Sequence, residues 1–155
     1  MKNEVFKRTK DNGFTFVEVL ITIVILGILS AIAIPLYLGQ IEKSKRTEAT
    51  TNLESVRLML EQYFNENGCY YKTGSPSACA DTTISGATSI QAFLPGFKPG
   101  NAQALKFNYF VTTSGGATAY IAAAVDKTVS STISSGASCS GSEMKVDNNN
   151  NRCGF

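Results

Sequence analysis

Glu18 is the only charged residue in the 25-residue run from Phe14 to Leu38. A carboxylate inside so apolar a segment is expensive to keep there, so by default it marks a functional site. The other reactive groups are four cysteines, Cys69, Cys79, Cys139 and Cys153. The chain has no histidine and no tryptophan. Without histidine, general acid–base catalysis and metal binding lose their commonest side chain. No Ser/His/Asp set can form, no paired carboxylates stand out, and no phosphate-binding loop occurs. These residue types point away from an enzyme. A zinc site has no support either, because there is no CxxC pair and no histidine. Asp147 followed by Asn148 to Asn151 is only a faint metal signal. No metal and no cofactor are expected.

As a helix, the apolar run is roughly 37 Å long, against about 30 Å for a hydrocarbon core. Before it stand Lys2, Lys7, Arg8 and Lys10, opposed by Glu4 and Asp11. An ordinary secretory signal fits poorly. The run is too long for its apolar region, and Ile34-Pro35-Leu36-Tyr37 is a poor small-x-small cleavage site. A plain single-pass anchor explains the length and the basic leader. It does not explain Glu18, or the glycine at the border between charge and apolarity.

The segment Gly13-Phe14-Thr15-Phe16-Val17-Glu18 resembles the N-terminus of type IV pilins and the related pseudopilins. Gly27, Pro35 and the run Lys43-Ser44-Lys45-Arg46-Thr47-Glu48-Ala49 also match. The motif is specific; the rest of the chain matches only in layout. The resemblance implies cleavage by a prepilin peptidase after Gly13 and N-methylation of the new terminus, Phe14. A glycine there lets the backbone approach a protease closely. It also implies that Glu18 attracts the Phe14 amine of a neighbouring subunit. Such pairing would set axial register, because a misplaced subunit leaves a buried charge unpaired. In assembled pili of this family the segment between the equivalents of Gly27 and Pro35 can lose helical structure. A simple proline kink is the alternative.

The implied function is that of a structural subunit of a type IV pilus, serving adhesion, twitching motility or DNA uptake. The implied partners are further copies in a homopolymeric filament, the prepilin peptidase, the inner-membrane assembly platform, and the membrane itself before assembly. The location is the inner membrane first, then an extracellular filament. A type II secretion pseudopilin and a minor pilin are the alternatives. Secretion pseudopilins often lack disulfides, and the major one commonly has an acidic calcium-binding loop. Minor pilins can lack the glutamate. Glu18 and the cysteines therefore lean towards a major pilin.

Fourteen basic and twelve acidic residues give a formal net charge of +2. The leader holds four of the former and two of the latter, so ten of each remain from Phe14 onwards. Zero net charge favours association and argues against a strong basic footprint for nucleic acid. Nucleic acid stays open as a partner through a local patch. An even number of cysteines in a chain whose bulk lies beyond a membrane reads as two disulfides. Three connectivities are open. The sequence-local pairs Cys69–Cys79 and Cys139–Cys153 are favoured, each closing a short loop worth about 3 kcal/mol in the chain-entropy model.

These residues need positioning elements. Residues 1–13 read as leader, 14–38 as the transmembrane and filament-core half of a helix, and 39–155 as a globular domain that includes the helix's amphipathic half. The helix is expected to run to about residue 66, where Asn67-Gly68 breaks it. Leu53, Val56, Leu60 and Tyr63 or Phe64 form its apolar stripe. Glu42, Lys45, Arg46, Glu54, Arg57 and Glu61 read as a solvated face, with Glu42–Arg46 and Glu54–Arg57 as pairs. From Asn67 to Gln103 a long loop is expected, with a helical turn at Ile90–Leu94. Alternation predicts a strand over Leu105–Thr112, a Gly115-Gly116 hairpin turn, and a partner strand over Ala117–Val125. Ser130–Ser142 reads as loop, and Glu143–Asp147 as a third strand. The fold class is α+β, the type IV pilin fold, with a long helix packed on a small antiparallel sheet and disulfide-tied loops.

Overall fold

The computed structural model of the chain describes residues 13–74, 77–100, 104–129, 133, 139 and 143–155. The expected leader is outside the described residues apart from Gly13, and so is most of the Ser/Gly-rich loop. A single helix, α1 (Phe16–Asn67), opens the fold. Then come β1 (Lys72–Thr73), β2 (Ala78–Cys79), β3 (Thr83–Ser85), α2 (Ala87–Phe93), β4 (Phe107–Ser114), β5 (Ala119–Asp126), β6 (Glu143–Asp147) and β7 (Arg152–Cys153). The chain divides into two compact units between Ile41 and Glu42.

In the first unit, α1 runs without interruption through Gly27 and Pro35. The loss of helix that the resemblance implies belongs to assembled pili; the single chain is helical across this segment. Pro35 costs the helix one amide donor towards Ala31, yet lies inside it. Every described residue of this unit is exposed. Among the described residues, α1 is the one helix long and apolar enough to cross a membrane.

In the second unit the rest of α1 supplies Ala49, Leu53, Val56 and Leu60, all buried. Their 4-3-4 spacing places them on one face. They join a core with Phe107, Tyr109 and Val111 of β4, Tyr120, Ala122 and Ala124 of β5, and Met144 and Val146 of β6. Successive strand side chains point to opposite faces, so these alternate positions form one apolar layer. Ile90, Leu94 and Phe97 close the core from the loop side. On the opposite sheet face Phe110, Ala123 and Val125 form a second cluster with Ile133 packed against it.

The sheet is antiparallel with strand order β3-β4-β5-β6-β7, five strands where three were expected. The region read as one long loop contains the β1–β2 ribbon, the edge strand β3 and the helix α2. The ribbon is pinned by Cys69–Cys79, with Cα atoms 6.0 Å apart. The partner strand begins at Ala119, not Ala117. Ala117 takes a positive φ of 57°, and its amide donates to Asp81 Oδ1 at 2.7 Å. The turn is therefore longer than two glycines.

At the other edge, β7 pairs with β6, matching Lys145 to Cys153 and Val146 to Arg152. Cys139–Cys153 ties this end down. Gly154 follows at φ +77°, where an added Cβ would run into the Glu143 carbonyl. Gly154→Ala is expected to destabilise the protein by about 1–3 kcal/mol, read as a lowered melting temperature with both disulfides intact. An unchanged melting temperature would mean that the C-terminal residues do not dock this way in solution.

Candidate assembly site on the N-terminal helix

Gly13 and Phe14 precede the first turn of α1, and Phe14 and Phe16 are 83% and 81% exposed. Thr15 starts the helix. Its Oγ1 accepts the amide of Glu18 at 3.2 Å, and its carbonyl accepts the amide of Val19 at 3.2 Å. Thr15 is thus the N-cap and Glu18 stands three residues on, the spacing of a capping box. This signal was legible as Thr15-x-x-Glu18, and the sequence reading passed over it. Glu18 is also the one acidic residue in the first turn, where the helix dipole favours negative charge. Gly13, Phe14 and Glu18 therefore fall within six residues. An exposed apolar surface this long matches lipid or other apolar helices.

Gly27 and Pro35 are not brought to any other site residue. The cysteines are brought together as the two sequence-local pairs, with separations of 10 and 14 residues. Among the described residues no group of histidine, cysteine and carboxylate side chains could hold a metal ion. Asp147 instead organises its own turn, accepting the amides of Asn149 and Asn151 at 2.9 and 2.8 Å.

The supposed solvated face of the second half of α1 is partly a row of tethers. Glu42 pairs with Lys106, not with Arg46, and Lys106 also reaches Asp126 at 3.2 Å. Glu54 takes Arg57 at 3.1 Å and Arg152 at 2.8 Å. Glu61 accepts the phenols of Tyr70 and Tyr120, each at 3.2 Å. The hydrogen bond to Glu42 raises the Lys106 pKa against the opposing effect of burial. Burial pushes Asp126 up, but hydrogen bonds from Thr128 and Lys106 hold it below its usual value.

Burial, then the Glu61 charge, pushes Tyr70 up to about 12 and Tyr120 further. Burial also pushes Tyr109 up to about 12. A phenol whose folded pKa is raised contributes stability that is complete below the unfolded value near 10. That stability is lost as pH rises through the folded value. The domain is expected to hold Tyr70, Tyr109 and Tyr120 neutral above pH 10 and to unfold cooperatively on approaching pH 12. Tyrosinate absorbance and circular dichroism should change together. Gradual ionisation in a folded domain would contradict the burial of these phenols.

The model of the prokaryotic N-terminal methylation motif matches residues 8–34. The chain is 39% identical over 61 residues to the type IV major pilin protein PilA of Myxococcus xanthus, covering 39% of this chain and 28% of that protein. It is 37% identical over 67 residues to the type II secretion system core protein G of Vibrio cholerae, covering 43% of this chain and 46% of that protein. The core protein G of Pseudomonas aeruginosa is 31% identical over 67 residues, covering 43% of this chain and 47% of that protein. The chain thus spans less than half the length of each of these relatives. No solved structure matches it. An apolar helix opened by this motif and continued into a small disulfide-tied α+β domain defines a pilin-like subunit. Over its N-terminal segment the chain carries the motif of the type IV pilin and pseudopilin family.

Proposed function

We propose that the chain is the major structural subunit of a type IV pilus and has no catalytic role. It is cleaved after Gly13, methylated at Phe14, and polymerised through residues 14–38. Before assembly the helix faces lipid; in the fibre it faces identical helices, so extraction exchanges one apolar environment for another. The observation that carries this reading is Glu18, held at the start of a fully exposed apolar helix. The two disulfides of the domain add support, since they suit a fibre exposed outside the cell. Adhesion, motility or DNA uptake would then act through the assembled filament.

A pseudopilin of a type II secretion system is the second reading. It is favoured by the larger share of the core protein G relatives that the chain covers, 46% against 28% for the pilin. Mass spectrometry of filaments sheared from the surface of the native host separates the two. A major pilin dominates that fraction, starts at methylated Phe14, and is four hydrogens light for two disulfides. A chain that is processed but confined to the envelope supports the pseudopilin or a minor pilin. A chain uncleaved at Gly13 is neither.

A further inference from the structure

On the flank of α1 within the second unit, Met59, Gln62, Tyr63 and Glu66 face Phe93, Leu94, Pro95 and Gly96 across an open cavity of about 280 Å³. The Tyr63 and Phe93 rings form one wall, with centroids 4.9 Å apart. Gln62 Nε2 donates to Glu66 Oε1 at 2.9 Å, which fixes the carboxylate at the rim. The lining has aromatic faces, a thioether and one carboxylate, and no basic group. Such a lining suits an organic cation, and a guanidinium best, because it stacks on rings and binds carboxylate at once.

The same unit offers that cation. Where α1 enters the domain, Glu42 is bound to Lys106 and Lys45 to Glu48. Lys43 and Arg46 are exposed and, among the described residues, their charged side-chain groups have no ion pair or hydrogen bond. The two features are complementary in position as well as charge. At roughly 100° per residue, the mean directions of Lys43 with Arg46 and of the four α1 residues of the groove differ by about 180°. Along the axis they are separated by about 27 Å, from the helical rise. Two parallel copies side by side, one advanced by that distance, would set the basic pair of one against the groove of the other. A contact of this kind is heterologous and does not close on itself, so it propagates as a filament.

We propose that Arg46, assisted by Lys43, docks into the Glu66–Tyr63–Phe93 groove of a second copy of this chain and sets the axial step between touching subunits. The proposal rests on the reading of the chain as a filament subunit. The test is made in the native host with the full chain, scoring sheared filaments and membrane pools separately. Glu66→Arg and Arg46→Glu are each expected to lower filament incorporation about tenfold at unchanged membrane levels. The double variant Arg46→Glu with Glu66→Arg should return it to near the wild-type level. A photo-crosslinking residue at position 62 should join copies in the filament and map to residues 43–46 of the neighbour.

Single reversals that assemble normally, a double variant as poor as the singles, or crosslinks that miss residues 43–46 would each overturn the contact. So would an Arg46→Glu chain depleted from the membrane pool, since the basic pair would then serve the anionic lipid surface. In all these cases wild-type filaments still contain the chain, and its role as their subunit stands. Failure of the wild-type chain to enter any filament would remove both readings.

Discussion

Glu18→Val chains are expected to be cleaved after Gly13, methylated at Phe14 and held in the membrane at normal levels, yet to be missing from filaments. The proposed cleavage and methylation would act on Gly13 and Phe14, which precede Thr15 and would not need the carboxylate. Insertion becomes easier, because a costly charge leaves the apolar run. Assembly is where the loss falls. If, as proposed, the amine of each Phe14 pairs with a neighbour's Glu18 in a bundle of apolar helices, removing one partner strands the other charge. Breaking a buried pair costs about 3–5 kcal/mol, a hundredfold or more in association.

Glu18→Gln keeps the shape and loses the charge, so it should fail as Glu18→Val does. The competing role is local. Thr15 and Glu18 form a capping arrangement, and a lost cap costs about 1 kcal/mol of helix stability. On that account Thr15→Ala would be as harmful as Glu18→Val, and both would still assemble. A pilus fraction containing Glu18→Val chains at wild-type abundance sinks the intersubunit pairing and leaves the cap.

The long helix and the central hairpin were legible because their signals are local. A 25-residue run with one charge has few folded solutions, and Ala49, Leu53, Val56 and Leu60 repeat at helical spacing. Phe107, Tyr109 and Val111 alternate as a half-buried strand must. The edges were not legible. β3 has three residues and β7 two, and each exists because a neighbour supplies the ladder: Ser85 against Phe110, Arg152 against Val146.

The row of carboxylates on α1 was misread for a related reason. Glu61 stands about 80° around the helix from Leu53, on the border of the buried stripe. Whether such a position meets solvent or two phenols depends on which flank the sheet covers, and spacing does not encode that. The N-terminal site was legible because its chemistry is written in consecutive residues. The groove between Tyr63 and Phe93 was not, since the two rings meet only after α2 has folded back on α1.

The buried pair Glu143–Lys145 was hidden in the same way, and it gives the second large effect. Glu, Met, Lys, Val and Asp read as a strand with one polar face, and a polar face normally meets water. Here that face is covered. Lys145 is 2% and Glu143 6% exposed, and their charged atoms are 3.1 Å apart. Both stand opposite apolar residues of β5, Lys145 across from Ala123 and Glu143 across from Val125. Lys145→Met keeps the length and bulk of the side chain but removes the cation 3.1 Å from a buried carboxylate, so a loss of about 3–5 kcal/mol is expected. By contrast, removing Lys45 from its pair with Glu48, where each side chain is 40% exposed, should cost under about 1 kcal/mol.

Glu143→Leu combined with Lys145→Met should be less destabilised than Lys145→Met alone, because no buried carboxylate is then left beside a missing lysine. Chemical denaturation of the full-length protein in detergent, with both disulfides intact, reads all four chains on one scale. If Lys145→Met unfolds with the wild type, water reaches this face of the sheet. The second apolar cluster of Phe110, Ala123 and Val125 would then be an exposed surface and not a second core.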